Sequence, residues 1–120
     1  MSNPKKTLGH WGEDLAAQFL ERKGYTILDR NFFTPFGELD IIATIQGSLV
    51  FVEVKTRTSN NFAFPEQSVT PRKQQRMLKA AEQYYARHPA SPETWQFDVI
   101  AVTRRLGAPP EMEHFENVIS

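Results

Sequence analysis

The sequence predicts an α/β fold in which a mixed central β-sheet is flanked by helices, in the order helix, three strands, helix, strand. Three observations carry that expectation. Residues 8–23 hold an apolar stripe at helical spacing, and two β-branched runs meet at Gln46-Gly47 in the pattern of a hairpin. Thr70-Pro71 then opens a second helical stripe, and a further apolar run follows at residues 95–102.

In order along the chain, residues 1–7 are a polar arm expected to be flexible, ahead of a single domain over residues 8–120. In the first helix Trp11, Leu15 and Phe19 share one face, Ala16 and Leu20 widen it, and Gly24 suits the stop. Glu13 lies on the flank that carries Ala16, Ala17 and Leu20. It either turns toward the sheet or is one more acidic residue near a helix start, and spacing alone favours the latter. Residues 25–31 read as a strand. Phe32, Phe33, Pro35 and Phe36 follow in an aromatic loop. Such a loop either covers one end of a core, the commoner use, or stacks on unpaired bases.

The stretch GELDIIATIQGSLVFVEVKTR (residues 37–57) is the centre of the chain. Alternation sends Val50, Val52 and Val54 to one face and Leu49, Phe51, Glu53 and Lys55 to the other. With Gln46-Gly47 as the loop, Asp40 is expected to face Glu53, and Glu38 to face Lys55. Like charges directly opposed across strands destabilise the pair. A divalent cation between the two carboxylates reverses that sign, since a hard ion such as Mg²⁺ takes carboxylate oxygens and keeps several waters. Lys55 adds a positive charge beside the ion and any bound phosphate. These are the parts of a metal-dependent phosphodiesterase. The plainer alternative is a cross-strand ion pair between Glu38 and Lys55, with Asp40 capping a turn.

After the hairpin, residues 58–68 form a polar loop long enough for a flap or a dimer contact. Thr70 as N-cap and Pro71 at the first helical position mark the second helix, which ends before His88-Pro89. Met77, Leu78, Ala81, Tyr84 and Tyr85 form its apolar stripe, while Arg72, Lys73, Arg76 and Lys79 crowd its first half as a phosphate cradle. Residues 89–94 are a linker, and residues 95–102 a largely buried strand. Asp98 inside that strand is either a neighbour of the site or a charge at one end. Residues 104–111 are a turn region, and residues 112–119 an edge strand.

Composition narrows the function. The 120 residues are 40% hydrophobic and 23% charged, with no net charge and no Cys, so disulfides and thiolate metal sites are excluded. The N-terminal residues lack a signal-peptide core, no run is long enough to span a bilayer, and no membrane partner is expected, which makes a cytoplasmic location the default. Basic residues are segregated between Lys55 and Arg87, whereas Glu111, Glu113 and Glu116 crowd the tail. His10, His88 and His114 have no ligand spacing, and neither a Gly-rich phosphate loop nor a nucleophile motif occurs.

The element order and several of its words resemble the restriction-endonuclease-like, or PD-(D/E)xK, nuclease superfamily, with an α-β-β-β-α-β core. Within it the chain is most similar to the YraN family of small bacterial proteins, likened to Holliday junction resolvases. The words are Gly12-Glu13-Asp14 with Ala16, Arg30-Asn31, GELDIIA, LVFVEVKTR, SVTPRKQQRMLKAA and FDVIAV, together spanning most of the chain. The resemblance implies metal-binding carboxylates at Asp40 and Glu53, joined by Glu13, with Lys55 as the basic catalytic residue that helps orient or activate the attacking water. It also implies support or phosphate contact from Lys73 and Gln75. Arg57, Lys73 and Arg76 would neutralise neighbouring phosphates. The expected cofactor is Mg²⁺ or Mn²⁺, the expected partner DNA, including branched DNA, and a homodimer would suit a symmetric substrate. Where relatives often carry arginines before the central strand, this chain has Phe33-Thr34-Pro35-Phe36. Two rivals stand beside a metal-dependent DNA endonuclease: a non-catalytic nucleic-acid-binding module, and an interaction subunit docking through the aromatic loop and residues 58–68.

Overall fold

The computed structural model describes residues 4–58 and 69–119. Helix α1 (Pro4–Arg22) precedes three antiparallel strands, β1 (Thr26–Thr34), β2 (Gly37–Ile45) and β3 (Ser48–Arg57). Helix α2 (Pro71–Arg87) then leads to β4 (Trp95–Thr103) and β5 (Glu111–Phe115). The five strands lie in chain order, with β3 and β4 parallel and every other pair antiparallel. Only the parallel pair needs a crossover, and α2 supplies it.

Local chemistry explains each boundary. Gly24 at φ 96 ends α1, and its N–H donates to the Glu21 carbonyl at 3.0 Å. The Thr70 hydroxyl accepts from the Lys73 amide at 3.2 Å, Pro71 follows, and α2 closes where the His88 amide donates to Tyr84 and Tyr85. Gln46 and Gly47 both take positive φ, the signature of a tight two-residue hairpin turn, and Ile45 pairs with Ser48.

The sheet is covered on both faces. Ile41, Val50, Val52, Ile100 and Val102 cluster with Leu20 of α1. Ile42, Leu49, Phe51 and Phe97 cluster with Tyr84 of α2. The expected faces of β3 are therefore the observed ones, and α1 buries Ala16, Ala17 and Leu20 while Trp11, Leu15 and Phe19 are buried in part. Tyr84 stands edge-on to both Phe32, at 5.2 Å, and Phe51, at 5.9 Å.

Three boundaries differ from expectation. Helix α1 starts at Pro4, taking in part of the stretch expected as a flexible arm; residues 1–3 lie outside the described residues. Strand β1 runs on through Phe32 and Phe33, which were expected in a loop, because Phe32 is buried under α2 while Phe33 alternates outward. The last strand is shorter than expected and ends at Phe115. Of the loop at residues 58–68, the positions 59–68 lie outside the described residues.

Asp98 is fully buried in β4, and its oxygens are all engaged. Oδ1 accepts from Gln96 Nε2 and from the Asn117 amide, each at 2.9 Å, and Oδ2 contacts His114 Nε2 at 2.7 Å. The Lys23 ammonium lies 2.7 Å from His114 Nδ1 and can only donate, so Nε2 carries the proton given to Asp98. This chain of polar contacts ties β5 and the following residues to the sheet, which is how a buried carboxylate is tolerated.

Gly12 sits where α1 crosses β3. A Cβ there would collide with the Thr56 side chain, so Gly12→Ala is expected to lower stability by about 1–3 kcal/mol through overpacking. That outweighs the helix-propensity gain of up to about 1 kcal/mol. Urea midpoints check it, and adding Thr56→Ala should recover part of the loss.

Candidate functional site

The β2–β3 ladder ends at Ile41 opposite Val52, while β3 continues to Arg57 paired with β4. The candidate site occupies that fork. Asp40 does not face Glu53 across a ladder, as the hairpin register implied. Its Oδ2 accepts instead from the Val54 amide at 2.8 Å, satisfying the donor that a longer β2 would have used. Beside Asp40, β1 keeps its register. Asn31 lies between Arg30 and Phe32, which pair with Ile41 and Leu39, and it adopts φ 53, a left-handed conformation that Asn tolerates.

From that position the Asn31 amide donates to Glu13 Oε1 at 2.8 Å and to Glu38 Oε1 at 2.6 Å. One oxygen from each of Glu13, Glu38 and Asp40 lies within 4.8 Å of the others. Glu13 thus turns toward the sheet. Glu38, expected opposite Lys55, joins the acidic cluster instead. Burial, with the charges of Glu13, Glu53 and Glu38, pushes the Asp40 carboxyl up to about 7, against the lowering effect of the Val54 amide.

Glu53 is the second half of the site. Its side chain is 19% exposed, and Oε1 carries both lysines: Lys73 in a direct ion pair and Lys55 at 3.5 Å. Oε2 is buried with no hydrogen-bond partner among the described residues. Burial lowers the Lys55 pKa, and Lys73 lowers it further, against the pull of Glu53. For Lys73, burial alone would lower the pKa, but the hydrogen bond it donates to Glu53 and the charge of that carboxylate prevail and raise it. The pair is therefore asymmetric: Lys73 is the firm counter-ion, and Lys55 the ammonium more ready to give up its proton.

Helix α2 completes the surroundings. Arg72, Lys73 and Arg76 line a pocket of about 400 Å³ whose wall also includes Asp40, Glu53, Phe36 and Met77. Gln75 is exposed and not part of that wall. Arg57, expected at the phosphates, has its Nε donating to Thr103 at 3.0 Å and a terminal nitrogen 3.9 Å from Glu113, so it links β3 to β4 and β5. Four of the expected cations, Lys55, Arg72, Lys73 and Arg76, thus gather around Glu53 or the pocket, and Arg57 sits against an acidic neighbour.

Two features went unseen in the sequence. Asn31 as the clamp between Glu13 and Glu38 had one signal, its place in the Arg30-Asn31 word. The group of Asp98, His114 and Glu116, also within 4.8 Å of one another, had none, because those residues meet only through the turn between β4 and β5.

Fold and site together define an α/β protein with a carboxylate cluster at the fork of its central strands and lysines on one flank. The chain belongs to the uncharacterised protein family UPF0102, whose model matches residues 12–102, in agreement with the YraN-like motifs. It is 48% identical to a UPF0102 protein of Syntrophotalea carbinolica over 115 residues, covering 96% of this chain and 93% of the relative. It is 50% identical to one from Syntrophomonas wolfei over 97 residues, 81% of this chain and 84% of the relative. Among the described residues no helix is long and apolar enough to cross a membrane.

Proposed function

We propose that this protein is a divalent-metal-dependent endonuclease that hydrolyses phosphodiester bonds in DNA, branched or junction DNA included. The observation that carries the reading is Glu53: one oxygen neutralised by two lysines, the other buried with no hydrogen-bond partner among the described residues, beside the raised carboxyl of Asp40. An unsatisfied buried carboxylate oxygen costs more than the roughly 1–3 kcal/mol of a neutral group, and a cation removes that cost. Asp40, Glu53 and Glu13 are the ligands of choice for Mg²⁺ or Mn²⁺, with Glu38 close by. Such an ion supplies Lewis-acid polarisation of the phosphate and a water acidic enough to attack it. Lys55 would orient the attacking water and, as an ammonium, steady the charge that develops on the phosphate. Arg72, Lys73 and Arg76 hold flanking phosphates by charge.

A second reading, a nucleic-acid-binding module without turnover, is favoured by the same lysines, which partly neutralise Glu53 without any ion. Incubation of supercoiled plasmid and four-way junction DNA with Mn²⁺ or Mg²⁺ separates the two. The enzyme reading expects cleavage that EDTA and Asp40→Ala both abolish. Equal activity of wild type and Asp40→Ala would remove the catalytic assignments, and salt-sensitive DNA binding without Mn²⁺ uptake would leave the module.

A further inference from the structure

The pocket beside the carboxylates is larger than an ion requires. At roughly 30 Å³ per water, a cation with three or four waters fills about a third of its 400 Å³. The remainder is apolar: Phe36, Leu39, Met77 and Ala80 line it, with Arg72 and Arg76 on the α2 side. Small-molecule sites of this size combine an apolar wall with a few polar groups, whereas a duplex backbone running past the carboxylates has only phosphate and sugar to offer.

Phe36 is well placed to act as a platform. It occupies the two-residue turn between β1 and β2, is 37% exposed, and is held from both sides of the backbone. Its N–H donates to the Thr34 hydroxyl at 3.1 Å, and its carbonyl accepts from Arg76 Nε at 3.4 Å. The Lys79 ammonium lies 5.4 Å from the ring centroid, a cation–π contact that fixes the ring from one side. An aromatic ring, a thioether and two guanidiniums within one pocket match a nucleotide: base on the apolar wall, phosphates on the arginines.

We propose that this pocket seats one unpaired nucleotide of the polynucleotide, its base against Phe36 and Met77 and its phosphates on Arg72 and Arg76. The site then selects strands with an unstacked base next to the carboxylates, as at gaps, branch points and single-stranded tracts, over continuous duplex. The inference rests on the polynucleotide part of the proposed function and not on its hydrolytic step.

Fluorescence anisotropy in EDTA tests it, with a short labelled oligothymidylate and an abasic strand of equal length and charge. Wild type should bind the oligothymidylate about tenfold more tightly than the abasic strand, the scale of one base–aromatic contact. Phe36→Ala should bring the oligothymidylate down to the affinity of the abasic strand and leave the latter within about twofold, since the phosphate contacts remain. Phe36→Trp should keep the preference, and Met77→Trp, which fills the pocket, should erase it. Thermal melts confirm that each variant is folded. Equal binding of the two strands by wild type, no binding of either, or an equal loss for both in Phe36→Ala overturns the proposal. A protein that shows the preference yet never cleaves keeps this inference and loses the hydrolytic one. One that cleaves duplex but binds both strands alike does the reverse.

Discussion

Asp40→Asn is expected to stabilise the metal-free protein at alkaline pH and to abolish metal-dependent cleavage in the same variant. Burial and three neighbouring carboxylates hold the Asp40 carboxyl at about 7, against its ordinary 3.8. Between those values the folded chain keeps a proton that the unfolded chain releases. The stability this group contributes is therefore fully present below 3.8 and is lost as pH rises through about 7. Asn carries no charge and retains an oxygen for the Val54 amide. Wild type and variant should unfold alike near the lower value and diverge by about 2–4 kcal/mol near pH 8, in favour of the variant. Urea unfolding across the pH range measures it, and equal midpoints at pH 8 would show that no such electrostatic load rests on Asp40.

Adding Mn²⁺ should reverse the order. The wild type gains stability from an ion that binds only the folded state, and the variant, lacking the ligand charge, gains little. Below pH 7 the ion must displace the Asp40 proton, so its affinity should fall by up to about tenfold per pH unit. Calorimetry in buffers of different ionisation enthalpy would read that released proton. Cleavage by the variant should drop by at least about 10²–10³-fold, the loss seen when a group aimed at developing charge is removed.

The part of this site that could be read from the sequence is the part governed by period and turn chemistry. Alternation assigned Glu53 and Lys55 to the α2 face, and Gln46-Gly47 set a register that holds from Ile45 to Ile41. Beyond Ile41 the arithmetic fails for a physical reason. Leu39 and Ile42 both pack under α2, whereas Ile41 packs under α1, so the alternation of β2 slips at Asp40. Asn31 in β1 takes positive φ beside that point with the pairing on either side in one register, and β1 carries its register shift elsewhere, between Ile27 and Asp29. Period-two reasoning contains no term for either. Lys73 on Glu53 was equally out of reach as an ion pair, because α2 returns to the sheet across residues whose spacing is silent about packing. The early start of α1 was legible in principle, since Pro4 suits a first helical position. The aromatic and proline content of residues 32–36 pointed to a loop, but a two-residue turn leaves room for both flanking strands to run to its edge.

Lys73→Met is expected to tighten Mn²⁺ binding while weakening DNA binding, opposite signs from one side chain. Lys73 holds Glu53 Oε1 directly, and Lys55 sits 3.5 Å from the same oxygen. An ion entering between Glu53 and Asp40 meets both ammoniums at close range, and must share or displace Lys73. Both partners are partly solvated, with side chains 29% and 19% exposed, so the repulsion is well below its value in a dry interior. A gain of about five- to tenfold in Mn²⁺ affinity follows once the ammonium is replaced by a side chain of similar length. Removing one phosphate-facing charge should also lower the slope of log K against log salt by about one. Lys55 should regain basicity once the neighbouring Lys73 ammonium no longer lowers its pKa, and the pH at which cleavage becomes maximal should move upward with it. Weaker Mn²⁺ binding in Lys73→Met would mean instead that Lys73 props Glu53 in its ligating conformation. The lysine would then be a positioning residue, and Lys73→Arg would restore the affinity that Lys73→Met lost.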